Sequence, residues 1–294
     1  MYINHNQMAT NVANTLTSHY GNLQTSTQRL SSGLRVNYAA DDAAGLAIRE
    51  LMRTDIAALQ QGVRNANDAI SLIQTADGAL GVIDEKLTRM KELAEQAATG
   101  TYDSTQRLMI ESEYQAMASE ITRIANSTDF NGIHLLNGNL SSSVHSGTAM
   151  TSTGKMKIHF GTANDSAEDY YYIQIGTSTA SALGVGNQAD ANSKAYTVST
   201  QAAAQKALVG LTDAVVSKDK IRAHLGALQN RLENTISNLT TQAENLQAAE
   251  SRISDVDVAT EMTQFVRNQI LTQSAVAMLS QANSMPQMAM QLIG

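Results

Sequence analysis

There is no cysteine in the 294 residues, no tryptophan, a single proline and only three phenylalanines. Each shortage excludes something. Without cysteine there is no disulfide scaffold, no thiolate nucleophile and no Cys-ligated zinc or iron–sulfur site. Export is not thereby excluded, because an exported chain can do without disulfides. Proline breaks helix interiors, and its usual share is roughly 5%; one in 294 permits very long uninterrupted helices. Aromatics at 4% are too few for an ordinary large globular core, and much of the 43% apolar content is alanine. Small apolar side chains suit narrow helix–helix seams. Length alone suggests about two domains. No run approaches the roughly 18 apolar residues of a membrane span. A net charge of −7 and a pI near 5.3 give no support for nucleic-acid binding. The opening residues, MYINHNQMATNVANTL, contain no lysine, no arginine and no apolar stretch of leader length. No secretory signal peptide is therefore expected, and any route out of the cell is a different one.

What is present is helical period. The first 40 residues hold no acidic residue and only two basic ones, Arg29 and Arg35. Val12, Leu16, Tyr20, Leu23 and Leu30 fall at helical spacing, and Gly33 reads as the helix end. Asp41 and Asp42 read as the cap and first-turn anion of the next helix. There Leu59, Ala66, Ile73, Leu80, Leu87 and Ala94 stand seven apart, a coiled-coil seam; the finer three-and-four stepping skips at Asp77. Gly100 ends it. A third helix carries Ile110, Tyr114, Met117, Ile121 and Ile124, and Asn131-Gly132 marks a tight turn. From about 140 to 200 serine, threonine and glycine dominate, with alternating stretches at 156–160 and 171–175 that read as strands. Helical period then returns. Leu225, Leu232, Leu239, Leu246 and Ile253 are again seven apart, with Leu228, Ile236 and Ala243 in the second row. At about 1.5 Å per residue, a helix over 203–254 spans about 75 Å. The last stretch, 256–294, contains Met262, Phe265, Ile270, Val276 and Leu279 but only three charged residues, Asp257, Glu261 and Arg267.

The expected fold is mainly α: a long fold-back helical bundle with coiled-coil seams formed by both chain ends, plus a small β-rich central insert. Leu59, Ile73, Leu80, Leu87, Leu225, Leu232, Leu239, Leu246 and Ile253 form the intramolecular seam. The two weakly charged ends meet at one tip and order by packing against copies or a partner.

Catalytic and cofactor patterns are missing. The six histidines (His5, His19, His134, His145, His159, His224) contain no i,i+4 pair and no HExxH. There is no GxxxxGK[ST] and no GxSxG; Gly184 and Gly186 do not complete a GxGxxG. Asp41 and Asp42 are adjacent, point in different directions, and make a poor acid–base pair. No cofactor, no metal and no enzymatic activity are expected.

Residues 30–37 (LSSGLRVN) and 40–48 (ADDAAGLAI) resemble the amino-terminal signature of bacterial flagellin. Supporting stretches are 66–80 (ANDAISLIQTADGAL), 129–133 (DFNGI), 250–257 (ESRISDVD) and 280–287 (SQANSMPQ). The resemblance covers about 1–140 and 200–294. It implies a subunit that self-polymerises into the flagellar filament for swimming motility. In that family 1–42 and 256–294 correspond to terminal helices of the inner filament core, 43–140 and 200–255 to the helical bundle, and 141–199 to a variable outer insert. Val12, Leu16, Leu23, Leu30, Met262, Phe265, Ile270, Val276 and Leu279 are then core-packing residues. Arg35, Asp41 and Asp42 fix the connector between layers. The resemblance further implies unfolded export through the flagellar type III apparatus, a secreted extracellular location and an export chaperone on the carboxyl-terminal helices. It also implies contact with the filament cap and hook-junction proteins. Residues 88–96 (TRMKELAEQ) resemble a segment read by an animal innate immune receptor, with Arg89, Leu93 and Glu113 at its key positions. No nucleic acid or membrane partner follows. The alternatives are a hook–filament junction protein, which shares the terminal motifs, and a metallopeptidase in the insert, which lacks HExxH and is below domain size.

Overall fold

A computed structural model describes residues 6–146, 153–165 and 168–293. The chain divides into two compact units: a terminal unit from 1–56 and 244–294, and a larger one, 57–243.

In the terminal unit, α1 (Gln7–Ser32) packs against α6 (Val258–Ile293). Asn6 opens α1, its side-chain oxygen accepting from the Ala9 amide at 3.1 Å. Gly33 closes it in the left-handed region (φ 72°), donating its N–H to Arg29, as the sequence predicts. Pro286 lies inside α6. It has no N–H to give to the carbonyl four residues back, at Ala282. That carbonyl instead accepts from Asn6 Nδ2 at 2.8 Å. One asparagine thus caps α1 and fills the hydrogen-bond gap that the only proline leaves.

The larger unit contains most of α2 (Ala43–Ala98), all of α3 (Ser104–Ser127) and most of α5 (Gln201–Ser254). Here the seam positions are buried: Leu59, Ile73, Leu80, Leu87, Leu225, Leu232 and Leu239. Leu246 and Ile253, in the terminal unit, are half-buried. The core continues through Ile110, Tyr114 and Ile121 of α3. Two ion pairs cross from α2 to α5: Asp77 with Arg222 at 2.7 Å and Asp84 with Lys218 at 2.5 Å. The pairing runs in opposite chain directions, so the two helices are antiparallel. The skip at Asp77 is thus a polar position facing a cation.

Three antiparallel hairpins follow α3. β1 (Asp129–Phe130) pairs with β2 (Ile133–His134) around Asn131 and Gly132, both at positive φ (51° and 79°), the turn that Asn-Gly favours. β3 (His145–Ser146) pairs with β4 (Thr153–Gly154). β5 (Met156–His159) pairs with β6 (Tyr170–Ile173), Lys157 opposite Tyr172. Ile173, Ile175, Val185 and Val198 join the bundle core, and α4 (Ala180–Leu183) is a single turn. Tyr114 and Glu111 of α3 hold the chain near 195–198: the Tyr114 hydroxyl donates to Ala195 and Glu111 accepts from the Val198 amide. Desolvation pushes the Tyr114 hydroxyl well above its ordinary pKa, so it stays a donor.

Candidate functional site

The α1–α6 pair has almost no buried apolar core. Among the described residues, the buried ones are Ser26 on α1 and Glu261, Thr272 and Ala282 on α6. Val12, Leu16, Leu23 and Leu30 of α1 are half-buried, as are Phe265 and Leu279 of α6. The other three proposed packing residues face outward: Met262 is 45% exposed, Ile270 57% and Val276 53%. Met262, Val266 and Ile270 step by four residues and form one exposed apolar row. Charge is scarce here. Glu261 pairs with Arg29 across the two helices at 3.7 Å. Monomeric surfaces seldom concentrate apolar side chains this way unless something covers them.

Between α1 and α2 the chain is held by hydrogen bonds. Leu34 bridges to Asp255 in antiparallel sense, with Arg35 N–H donating to Ser254 and Val256 N–H to Gly33. The Arg35 guanidinium donates to the Ile253 carbonyl at 2.7 Å. Asp41 accepts from the amides of Tyr38 and Asn37, both at 3.1 Å. Those two bonds hold its carboxyl below the usual range. Asp42 accepts from the Gly45 amide at 2.8 Å and caps α2. All three connector residues therefore work through the backbone. Sequence reasoning missed Arg49. It is 8% exposed, donates to the Val36 carbonyl at 2.8 Å and grips Glu50 with two nitrogens. A lone arginine in a helix has no periodic signature, so nothing in the pattern flagged it.

On the bundle, Arg89 donates to Glu113 at 2.8 Å and to Glu92 at 3.0 Å, and all three are exposed. Leu93 is 1% exposed and belongs to the core. Of these three segment positions, only Arg89 and Glu113 present surface. Among the described residues, no group of three histidines or carboxylates is arranged to hold a metal ion, and no helix is long and apolar enough to cross a membrane.

This is the geometry of a structural subunit with exposed apolar rows on its terminal helices. Comparison with known proteins identifies the kind. Residues 3–141 match the bacterial flagellin N-terminal helical region and 208–293 the bacterial flagellin C-terminal helical region. The chain is 43% identical over 310 residues to a flagellin of Bacillus subtilis, covering all of both chains. It is 41% identical over 293 residues to a flagellar filament 33 kDa core protein of Treponema phagedenis, again covering all of both. Its fold resembles a solved Vibrio parahaemolyticus protein described as hook-associated, with TM-score 0.55 and 12% identity, over 73% of this chain and 100% of that one. The likeness at that identity is one of fold alone. The chain belongs to the bacterial flagellin family and is a structural subunit of the flagellar filament.

Proposed function

We propose that the chain self-assembles outside the cell through the outward faces of α1 and α6. In this reading 1–42 and 256–294 form the inner filament core, 43–140 and 200–255 the surrounding bundle, and 141–199 the outer insert. The observation that carries it is the exposure of Met262, Ile270 and Val276 on a helix pair with almost no charge. Copies meet through unlike faces, and such contacts extend into a helical polymer instead of closing. Arg35, Asp41 and Asp42, with Arg49, set the course of the connector between layers.

The chain leaves the cell unfolded through the flagellar type III apparatus. An export chaperone covers the apolar side chains of 256–294 beforehand. The filament cap and hook-junction proteins meet the growing and basal ends. An animal innate immune receptor reads the exposed Arg89–Glu113 pair on the bundle. A non-enzymatic role is supported by the structural relatives and by the short insert.

The deciding experiment adds secreted, purified protein to short filament seeds and follows them by electron microscopy. Long helical filaments are expected. Failure to elongate seeds, with the protein binding only at filament ends, would support the hook–filament junction reading instead.

A further inference from the structure

All the sulfur in this chain is thioether: 13 methionines and no cysteine. Its placement is uneven. In the bundle Met90 is fully buried, while Met109 on α3 is 69% exposed. Met8 on α1 and Met262, Met278 and Met288 on α6 are 55%, 45%, 57% and 48% exposed. These four lie on the helix pair whose outward faces carry the proposed assembly. An unbranched, polarisable thioether suits a surface that must fit more than one neighbour packing. It is also the apolar side chain that an oxidant converts into a polar one.

We propose that Met262 and Met278 form an oxidation switch on filament growth, set by hydrogen peroxide and reset by methionine sulfoxide reductases, in which a dithiol gives up two electrons to become a disulfide and the sulfoxide oxygen leaves as water. The switch rests on the proposal that neighbouring copies cover α1 and α6. In the oxidising step the sulfur lone pair attacks one peroxide oxygen. The O–O bond breaks, an S–O bond forms, sulfur loses two electrons and one water leaves. The product oxygen is a strong hydrogen-bond acceptor. In the free subunit water satisfies it. Beneath a neighbouring copy, Met262 shares its row with Val266 and Ile270, whose side chains have no donor to offer. An unpaired buried acceptor disfavours the covered state specifically. The bundle core is untouched, because Met262 and Met278 contribute nothing to it. Once a copy is in place its sulfur is shielded. Peroxide therefore blocks addition of new subunits without dissolving the existing filament.

The test treats full-length subunits with hydrogen peroxide, maps each methionine by peptide mass spectrometry, and measures elongation of untreated seeds over a concentration series. Met8, Met262, Met278 and Met288 should oxidise early, together with Met109 on the bundle, which lies outside the proposed assembly face, and Met90 last. The critical concentration should rise at least tenfold while circular dichroism stays unchanged. A mixture of the two reductase types, one for each sulfoxide epimer, supplied with a dithiol reductant, should restore it. The double variant Met262→Leu/Met278→Leu, compared with its own untreated baseline, should change less than twofold on peroxide treatment. Should that variant not elongate at all, reductase reversal of the unsubstituted protein decides. Subunits carrying both sulfoxides that elongate at an unchanged critical concentration would overturn the switch, as would a double variant as sensitive as the parent. Peroxide mapping of finished filaments separates the two proposals. Equal oxidation of Met262 and Met278 in filament and free subunit sinks the covered-face reading. Protection in the filament, with oxidised subunits still adding, sinks the switch alone.

Discussion

In the bundle, Leu59, Ile73, Leu80, Leu87, Leu225 and Leu232 are all at 2% exposure or less; in the α1–α6 pair, the buried residues are a serine, a glutamate, a threonine and an alanine. Both regions are long helices with apolar residues at regular spacing. They differ in where the partner surface is. The bundle finds it within the chain, where α2, α3, α5 and the insert share one continuous core. The terminal pair fully buries only small and polar residues, leaves Val12, Leu16, Leu23, Leu30, Phe265 and Leu279 half-buried, and turns Met262, Val266, Ile270 and Val276 outward. Apolar period alone therefore does not predict burial. Flanking charge is the better guide: the seams of the bundle run beside many charged positions, whereas 256–294 has three.

The strongest way to break this contrast is to remove one side of it. Deleting 256–294 should abolish elongation of filament seeds altogether, while the thermal transition of the bundle persists. A truncated chain that still elongates would mean that assembly does not depend on the terminal pair. A matched pair of substitutions sharpens the point. Leu232→Asp puts a charge in the core and should cost about 4 kcal/mol or more in denaturant unfolding. Ile270→Asp, on an exposed site, should leave unfolding within about 0.5 kcal/mol yet raise the critical concentration for elongation. If both act alike on unfolding, the two regions are not distinct in kind.

A smaller effect is expected from the polar interruption of the seam. Lys218 is buried, with its side chain 2% exposed, while Asp84 and Asp219 are 40% and 59% exposed. Asp84→Asn alone leaves Asp219 as a partner and should cost under about 1 kcal/mol. The double variant Asp84→Asn/Asp219→Asn strands a buried ammonium and should cost about 3 kcal/mol, measured by denaturant unfolding. The smallest effect is pH-linked. The hydrogen bond from Arg222, with its charge, holds the Asp77 carboxyl below the ordinary carboxylate range. A depressed folded-state value means that this contribution is present above about pH 4, the unfolded value. It is lost as pH falls through the lower folded value. Asp77→Asn should therefore lower the bundle's melting temperature slightly at neutral pH, leave it almost unchanged in strong acid, and so flatten the acid limb of the profile.

Much of this was legible in the chain. Seven-residue spacing marked the buried seams, glycine at 33 marked the end of α1, Asn-Gly marked the first hairpin, and alternation marked β5 and β6. What was not legible depends on single polar residues meeting across long sequence distances. Asn6 serves Ala282, Arg49 serves Val36, and Tyr114 serves Ala195. None belongs to a repeating pattern, and each role exists only once the fold has brought its partner near. Asp77 is intermediate: a gap in the period made it visible, but its partner Arg222 was not. The motif resemblance placed Leu93 at a key position of 88–96 without saying which way its side chain faces; packing puts it inside.

The two ion pairs between α2 and α5 have a mechanical side. Leucine rows are nearly self-similar under a slide of one heptad, about 10.5 Å along the axis, so hydrophobic burial by itself resists such a slide weakly. Slide α5 one way and Lys218 comes opposite Lys91, like against like. Slide it the other way and Arg222 leaves Asp77 to sit opposite Ile70. In the first direction Lys218 keeps only Asp219 of its own helix and meets a like charge, and in the second Arg222 loses its carboxylate. Asp77 and Asp84 act as a shear key between two rods, one that a propeller transmitting torque along its length would load at every stroke.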